Sequence, residues 1–205
     1  VARGGTFIVA HPKSVGDPHC TGCRWVYDEV YPGPARVVEV WNSDWGSDDS
    51  HNEDGLALAY DWLNAGYRMA LTSGTDNHGR GRPMRYGFNH VFAPALTEAD
   101  ILAGVRAGHV YISAGPRLEM TAQAGNEQAM LGDALSPDAG PAELRIGWSG
   151  APAGAQLSLI TDGKTRQTWT AAEDGEKRIT LEIDAARWCL ATLREADGRM
   201  LALTN

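Results

Sequence analysis

The chain has 205 residues, of which 43% are apolar and 21% are charged, enough apolar material for one medium domain or two small ones. This composition excludes an intrinsically disordered chain, and no apolar run approaches the roughly 20 residues of a membrane-spanning helix. With 18 basic and 26 acidic residues, the net charge is −8. Because nucleic acids and anionic membranes repel an acidic surface, neither is expected as a partner.

The first half of the chain alternates between strand and helix patterns. Short apolar runs predict strands at residues 6–10, 36–41, 68–72 and 87–93. Apolar residues at helical spacing predict a helix over 53–66, with Asn52 as the expected cap at its start. Thr97 with Asp100 resembles a capping box that begins a second helix, which ends at Gly108. Strands and helices in this alternation predict a parallel β/α layer or barrel.

After residue 115 the pattern changes to apolar and polar residues in strict alternation, which is typical of half-buried strands. Asp162-Gly163 and Asp197-Gly198 are hairpin turn signals between such runs. Several short strands at this spacing predict a small antiparallel β-sandwich of immunoglobulin-like type. We therefore expect an α/β part over residues 1–115 and an all-β part over residues 116–205.

Polar side chains follow three of the predicted strands. His11 comes directly after the first strand, Asn42 after the second, and Asp76 and His78 after the third. Because the carboxyl ends of parallel strands meet at one rim, we expect these residues to converge there. Imidazole and carboxylate donors suit zinc, manganese or iron. The pattern fits a metal site, and a structural histidine with an ordinary turn explains it equally well.

Candidate substrate contacts surround these residues. Arg80, Arg82 and Arg85 form a local basic cluster in an acidic chain. They suit an anionic group of a substrate, and a solvated basic loop explains them equally well. Trp45 lies in a polar stretch and is the better tryptophan candidate for a substrate contact, whereas Trp62 is expected in the core.

Two cysteines form a Cys-Thr-Gly-Cys turn at Cys20 and Cys23, with His19 directly before it. A disulfide, a reduced pair and half of a zinc site are all compatible with this spacing. A structural zinc needs about four ligands, and the turn supplies three. The sequence therefore favours a structural pair and leaves the metal alternative open.

Three segments carry a resemblance to a known family. The runs TFIVAHP, ARVVEVWN and YRMALTSGTDNHG are similar to the later motifs of the PHP (polymerase and histidinol phosphatase) superfamily. Their order and spacing match its His-Pro motif, its Glu-x-x-Asn strand and its terminal Ser/Thr-Asp-x-His motif. The stretch ILAGVRAGHVYISAGPRLEM and the tail after it resemble the CehA/McbA-type branch, which includes carbaryl-hydrolysing enzymes. The resemblance covers about residues 6–163.

The resemblance implies the C-terminal part of a distorted (β/α)7 barrel, a fold that holds up to three divalent ions. His11, Asp76 and His78 would be metal ligands, and Asp76 and His78 would also be catalytic. Glu39 and Asn42 would line the site behind these ligands. The family's opening His-x-His motif does not occur in this sequence. We therefore expect a fragment that carries part of the site, with the missing N-terminal part of the same protein as its partner.

Together these features predict an enzyme. We expect a metal-dependent hydrolase of phosphoester or carboxylic/carbamate ester bonds in small molecules, which uses metal-activated water. Both ester classes exploit the same water, so the sequence does not choose between them. The alternative is a non-catalytic module whose β-sandwich contacts carbohydrate or a partner protein. We expect a soluble protein of bacterial type, and the sequence does not distinguish cytoplasm from periplasm.

Overall fold

A computed structural model describes residues 5–15, 31–46, 51–77, 85–182 and 186–205. These ranges contain two α-helices, α1 (Asn52–Asn64) and α2 (Glu98–Ala107), and a short 3-10 helix at Pro137–Ala139. The strands are β1 (Ile8–Val9), β2 (Val37–Asn42), β3 (Ala70–Gly74), β4 (Phe88–Val91), β5 (Val110–Ser113), β6 (Arg117–Ala124), β7 (Glu127–Met130), β8 (Ala142–Ser149), β9 (Gln156–Thr161), β10 (Lys164–Thr170), β11 (Gly175–Leu181), β12 (Cys189–Arg194) and β13 (Met200–Thr204). Neither α1 nor α2, in this described part of the chain, has the length and apolar character that a bilayer crossing requires.

The first three strands form a parallel sheet in the order β1-β2-β3. Its central strand β2 is apolar almost throughout because both of its faces are buried, as in most parallel sheets. Leu56, Ala59 and Trp62 lie on the inner face of α1 and pack against the sheet in one core. The predicted parallel β/α layer over this part of the chain is confirmed.

The starts of the two helices differ in their chemistry. Thr97 accepts a hydrogen bond from the backbone N–H of Asp100 at 3.2 Å, so the predicted start of α2 is confirmed. At α1 the N-cap is His51, whose side chain makes no capping hydrogen bond. Asn52, the residue expected to cap this helix, instead directs its side chain to the backbone of Asn42.

The remaining strands form two antiparallel sheets, a six-stranded one in the order β10-β9-β12-β13-β5-β4 and a four-stranded one in the order β11-β8-β6-β7. Asp162 and Gly163 have φ angles of 48° and 81° and join β9 to β10, which confirms this hairpin signal. Asp197 and Gly198 lie in the turn between β12 and β13, so the second signal is also confirmed.

Two hydrophobic cores join these layers. One lies between the parallel sheet with α1 and one face of the six-stranded sheet, and the other lies between the six-stranded and four-stranded sheets. The six-stranded sheet is therefore the central layer. Its strand β13 is buried at every position, because it has a core on each face.

The predicted (β/α)7 barrel is wrong. Three sheets, with most described residues of regular structure in strands, replace it, and none closes into a barrel within the described ranges. The strand predicted at 87–93 is present as β4, but it pairs antiparallel with β5 in the six-stranded sheet. Strands β4 and β5 thus share that sheet with β9, β10, β12 and β13, which follow residue 115.

Two asparagine side chains end the parallel sheet at β3. The Asn205 carboxamide binds the N–H and C=O of Leu71 at 2.5 and 3.0 Å. The Asn89 carboxamide binds the N–H and C=O of Ser73 at 2.9 and 2.8 Å. These are the backbone groups through which a further parallel strand would pair with β3. Strand pairing in the parallel sheet therefore ends at β3, and a barrel cannot continue from this edge.

Candidate functional site

The carboxyl ends of β1, β2 and β3 bring His11, Asn42 and Asp76 to one rim, and Glu39, the third residue of β2, contacts His11 there. We call these four residues the rim site. His11 follows β1 in a turn that is closed by the hydrogen bond from Ser14 N–H to the His11 carbonyl at 3.1 Å. Asn42 ends β2, and Asp76 lies just after β3. The convergence follows directly from the parallel pairing of the three strands.

His11 and Glu39 form a hydrogen-bonded pair, with the His11 Nδ1 atom 3.4 Å from Glu39 Oε2. Their side chains are 24% and 14% exposed, so the pair is largely shielded from water. The hydrogen bond to Glu39 raises the pKa of His11, and the negative charges of Glu39 and Asp76 raise it further, while partial burial opposes them. The three groups are therefore close enough to be coupled electrostatically.

Asn42 links the strand ends at the base of the rim site. Its backbone N–H donates to Asn52 Oδ1 at 2.8 Å, and Asn52 Nδ2 donates back to the Asn42 carbonyl at 3.0 Å. The Asn42 Nδ2 atom lies 3.4 Å from Asp76 Oδ2 and 3.5 Å from Ser14 Oγ. Asn42 is 2% exposed, and its Oδ1 atom has no hydrogen-bond partner among the described residues. Such a buried acceptor is costly unless a ligand or solvent satisfies it.

Backbone strain is concentrated at the same rim. Among the described residues, five that are not glycine have positive φ angles. Three of them, His11 (27°), Ser43 (58°) and Asp76 (48°), come after the three parallel strands, and His51 (47°) precedes α1. The fifth, Asp162, belongs to a hairpin turn that requires this conformation. Strain of this kind costs about 1–3 kcal/mol per residue and is typical of functional sites.

Gly74 gives the Glu39 carboxylate its space. A Cβ atom at position 74 would lie 2.7 Å from Glu39 Oε1 and 3.1 Å from its carboxyl carbon. Because its φ is not positive, Gly74 is required for this close approach rather than for backbone conformation. A larger residue would push Glu39 away from its position beside His11.

The other predicted site residues lie elsewhere or outside the described ranges. His78, Arg80 and Arg82 fall outside those ranges, as do Cys20 and Cys23. Arg85 pairs with Glu195 of the β12–β13 hairpin. Trp45 is 6% exposed, meets Trp41 edge to face and donates to Glu53 at 2.6 Å. Its indole is thus engaged in core packing, and a substrate contact stays a prediction.

The described residues of the rim site supply only some of the ligands that a divalent ion needs. Within the described ranges, no three His, Cys, Asp or Glu side chains are grouped so that they could hold a metal ion by themselves. The His11–Glu39 pair nevertheless has the chemistry of a metal-binding imidazole, since such a histidine commonly donates its other ring N–H to a carboxylate. The Asp76 carboxylate and the orphaned Asn42 oxygen are further hard donors at the same rim. The described donors alone therefore do not make a metal site, and a cation at this rim would need further ligands.

Two polar residues at the rim were not singled out as site residues by sequence reasoning. Ser14 is 6% exposed and lies beside Asn42, and Asn52 is 4% exposed and holds the Asn42 backbone. Neither follows a predicted strand, and the spacing between them and Asn42 carries no periodic signal. The sequence marked Asn52 at the start of α1 only as a candidate helix cap.

No protein-family model, curated protein or solved structure matches this chain.

Proposed function

We propose that the rim site is one side of a divalent-metal hydrolytic centre that cleaves phosphoester or carboxylic/carbamate ester bonds in small molecules. The observation that supports this most is that His11 and Asp76, just after the carboxyl ends of β1 and β3, both lie near Glu39 of β2. The strained φ angles and the orphaned oxygen of Asn42 at the same place add to it.

His11 and Asp76 are the ligands in this proposal, with His78 as a third from the sequence pattern. When Glu39 accepts the Nδ1 proton of His11, the lone pair on Nε2 is available to a cation. A divalent cation bound there would supply Lewis acidity, which polarises an ester oxygen and lowers the pKa of water. Imidazole nitrogen with carboxylate oxygen suits zinc, manganese or iron.

The chain's own residues then have distinct tasks. Glu39 holds the His11 ring in one tautomer and orientation, and Gly74 leaves the room for it to do so. Asn42 holds one carboxylate oxygen of Asp76 through its amide nitrogen. The other Asp76 oxygen can accept a proton from water during attack on the ester.

Hydrolysis of two chromogenic esters tests the proposal. We expect the metal-free chain to gain turnover of p-nitrophenyl phosphate or p-nitrophenyl acetate when Zn²⁺ or Mn²⁺ is added. His11→Ala and Asp76→Asn should each lower that turnover by about 100-fold or more, the range lost when an acid–base or ligand group is removed. His109→Ala and Asp138→Asn are matched controls, because both lie outside the rim site.

Two results of this experiment would count against a metal-dependent hydrolase. Turnover that does not depend on added metal, or that survives in both rim variants, would contradict the proposal. A preference for one ester over the other would assign the substrate class that the sequence leaves open.

A further inference from the structure

A second cavity lies at the opposite end of the parallel sheet from the rim site. It has a volume of about 980 Å³ and opens beside Arg36 and Ala70, at the amino ends of β2 and β3. Its walls also include the end of α2, the strands β6 to β8 and the residues just before β12. This volume lies at the upper end of the range of small-molecule sites.

The floor of this cavity is apolar. Met69 and Leu71 line it from the parallel sheet, Met120 and Leu144 from the four-stranded sheet, and Leu190 from the six-stranded sheet. All five are buried in the two cores, so the floor is a fixed part of the packing. An apolar floor of this kind favours an aliphatic or aromatic ligand body.

The rim of the cavity is positively charged, although the chain as a whole carries −8. Four arginines (Arg36, Arg68, Arg106 and Arg187) and two acidic residues (Asp133 and Glu182) line it. Asp133 is already paired with His109 at 2.9 Å and accepts the backbone N–H of Met130. Arg187 is likewise paired with Asp162 at 3.9 Å, so the positive charge at the mouth rests on Arg36 and Arg68, and the charge of Arg68 also acts on Asp133.

Two of these arginines donate hydrogen bonds to backbone carbonyls. Arg36 donates to the carbonyls of Gly33 and Ala35 at 2.9 and 2.8 Å, and Arg68 donates to that of Gly132 at 2.6 Å. Within the described ranges neither forms an ion pair with a carboxylate, whereas Arg145 and Arg178 on the four-stranded sheet are both paired with Glu176. The carbonyl contacts orient Arg36 and Arg68 and leave both guanidinium groups charged, so both can attract an anion.

We propose that this cavity binds an anionic amphiphile, with a carboxylate or phosphate headgroup held by Arg36 and Arg68 and an apolar body on the Met69–Leu71 side of the floor. The proposal does not depend on hydrolysis at the rim site. Its basis is charge complementarity at the mouth combined with an apolar floor, both on described residues.

Calorimetric titration of the wild-type chain with four ligands of the same alkyl length tests the charge requirement. Decanoate and decyl phosphate should bind with one site per chain, roughly tenfold or more tighter than decanol or decyltrimethylammonium. The tighter of the two anions identifies the headgroup. Equal affinity for the neutral or cationic ligand, or no binding of either anion, would overturn the proposal.

A charge-matched pair of double variants locates the site. Arg36→Gln with Arg68→Gln should weaken binding of the preferred anion by about tenfold while leaving the affinity for decanol unchanged. Arg145→Gln with Arg166→Gln removes the same charge outside the cavity lining and should leave anion binding unchanged. Equal losses in the two double variants would assign the effect to net charge and refute the site.

Discussion

The carboxamide of Asn205 binds both backbone polar groups of Leu71, and it donates a further hydrogen bond to the carbonyl of Val110 at 2.9 Å. One side chain therefore joins β3 of the parallel sheet to β5 of the six-stranded sheet. It also occupies the position that a neighbouring strand would take. The end of the parallel sheet is thus set by a side chain and not by a turn.

Replacement of Asn205 should lower the stability of the folded chain. Asn205→Ala leaves the Leu71 N–H and two carbonyls without these partners in a partly buried place, so we expect the free energy of unfolding to fall by about 1 kcal/mol or more. Urea denaturation measures this as a lower midpoint at unchanged slope. Gln128→Ala, an exposed amide on β7, is the control and should change stability by less than about 0.5 kcal/mol. Equal effects of the two changes would contradict the role assigned to Asn205.

Enlarging Gly74 should disturb the rim site from behind. In Gly74→Ala the new Cβ would overlap the Glu39 carboxylate, which we expect to move away from His11. Because this carboxylate is the end of a flexible side chain, its movement should change stability by less than about 1 kcal/mol, whereas the pKa of His11 should fall towards its ordinary value. Gly147→Ala is a matched strand control, because a Cβ there meets nothing within 4 Å. A His11 titration that is the same in both variants would show that Glu39 does not act on it.

The raised pKa of His11 makes stability depend on pH in a defined direction. Since its folded-state pKa lies above the ordinary value of 6.5, the stabilisation is fully present below that value and is lost as pH rises through the folded pKa. In metal-free protein, Glu39→Gln should therefore cost more stability at about pH 5.5 than at about pH 8.5. Urea denaturation at both pH values measures the difference. Glu119→Gln, which removes a carboxylate paired with Arg117, should show no such dependence; a pH-independent cost of Glu39→Gln would count against the pair.

Cys189 should be slow to react in the folded chain. Burial, with a smaller contribution from the Asp162 carboxylate, raises the pKa of its thiol to about 11. The reactive thiolate is therefore scarce at about pH 8. In a Cys20→Ser, Cys23→Ser background, iodoacetamide should alkylate Cys189 much more slowly in the native chain than in urea. Equal rates in the two conditions would show that the thiol is exposed.

Much of the local structure could be predicted from the sequence, because it depends on local chemistry. The alternation of apolar runs located β1, β2 and β3, and the Thr97–Asp100 spacing located the start of α2. The hairpin at Asp162-Gly163 followed from the positive φ angles that its turn requires. These signals act over a few residues and need no knowledge of the rest of the chain.

The long-range arrangement could not be predicted in the same way. The strand predicted at 87–93 is expected in the parallel sheet, but β4 pairs antiparallel with β5, and the side chains of Asn89 and Asn205 occupy the edge of β3. Those contacts join residues far apart in sequence and leave no periodic trace. The same is true of the rim site. His11 and Asp76 could be predicted because they follow predicted parallel strands, whereas Ser14 reaches the site through a turn that no sequence pattern indicates.

The central claim is that His11 and Asp76 share a cation at the rim, and calorimetric titration of metal-free chain with Zn²⁺ and Mn²⁺ tests it most directly. We predict saturable binding that weakens by roughly tenfold or more in both His11→Ala and Asp76→Ala, and that His109→Ala leaves unchanged. The account is contradicted if the wild-type chain shows no saturable binding, or if both rim variants bind as tightly as the wild type.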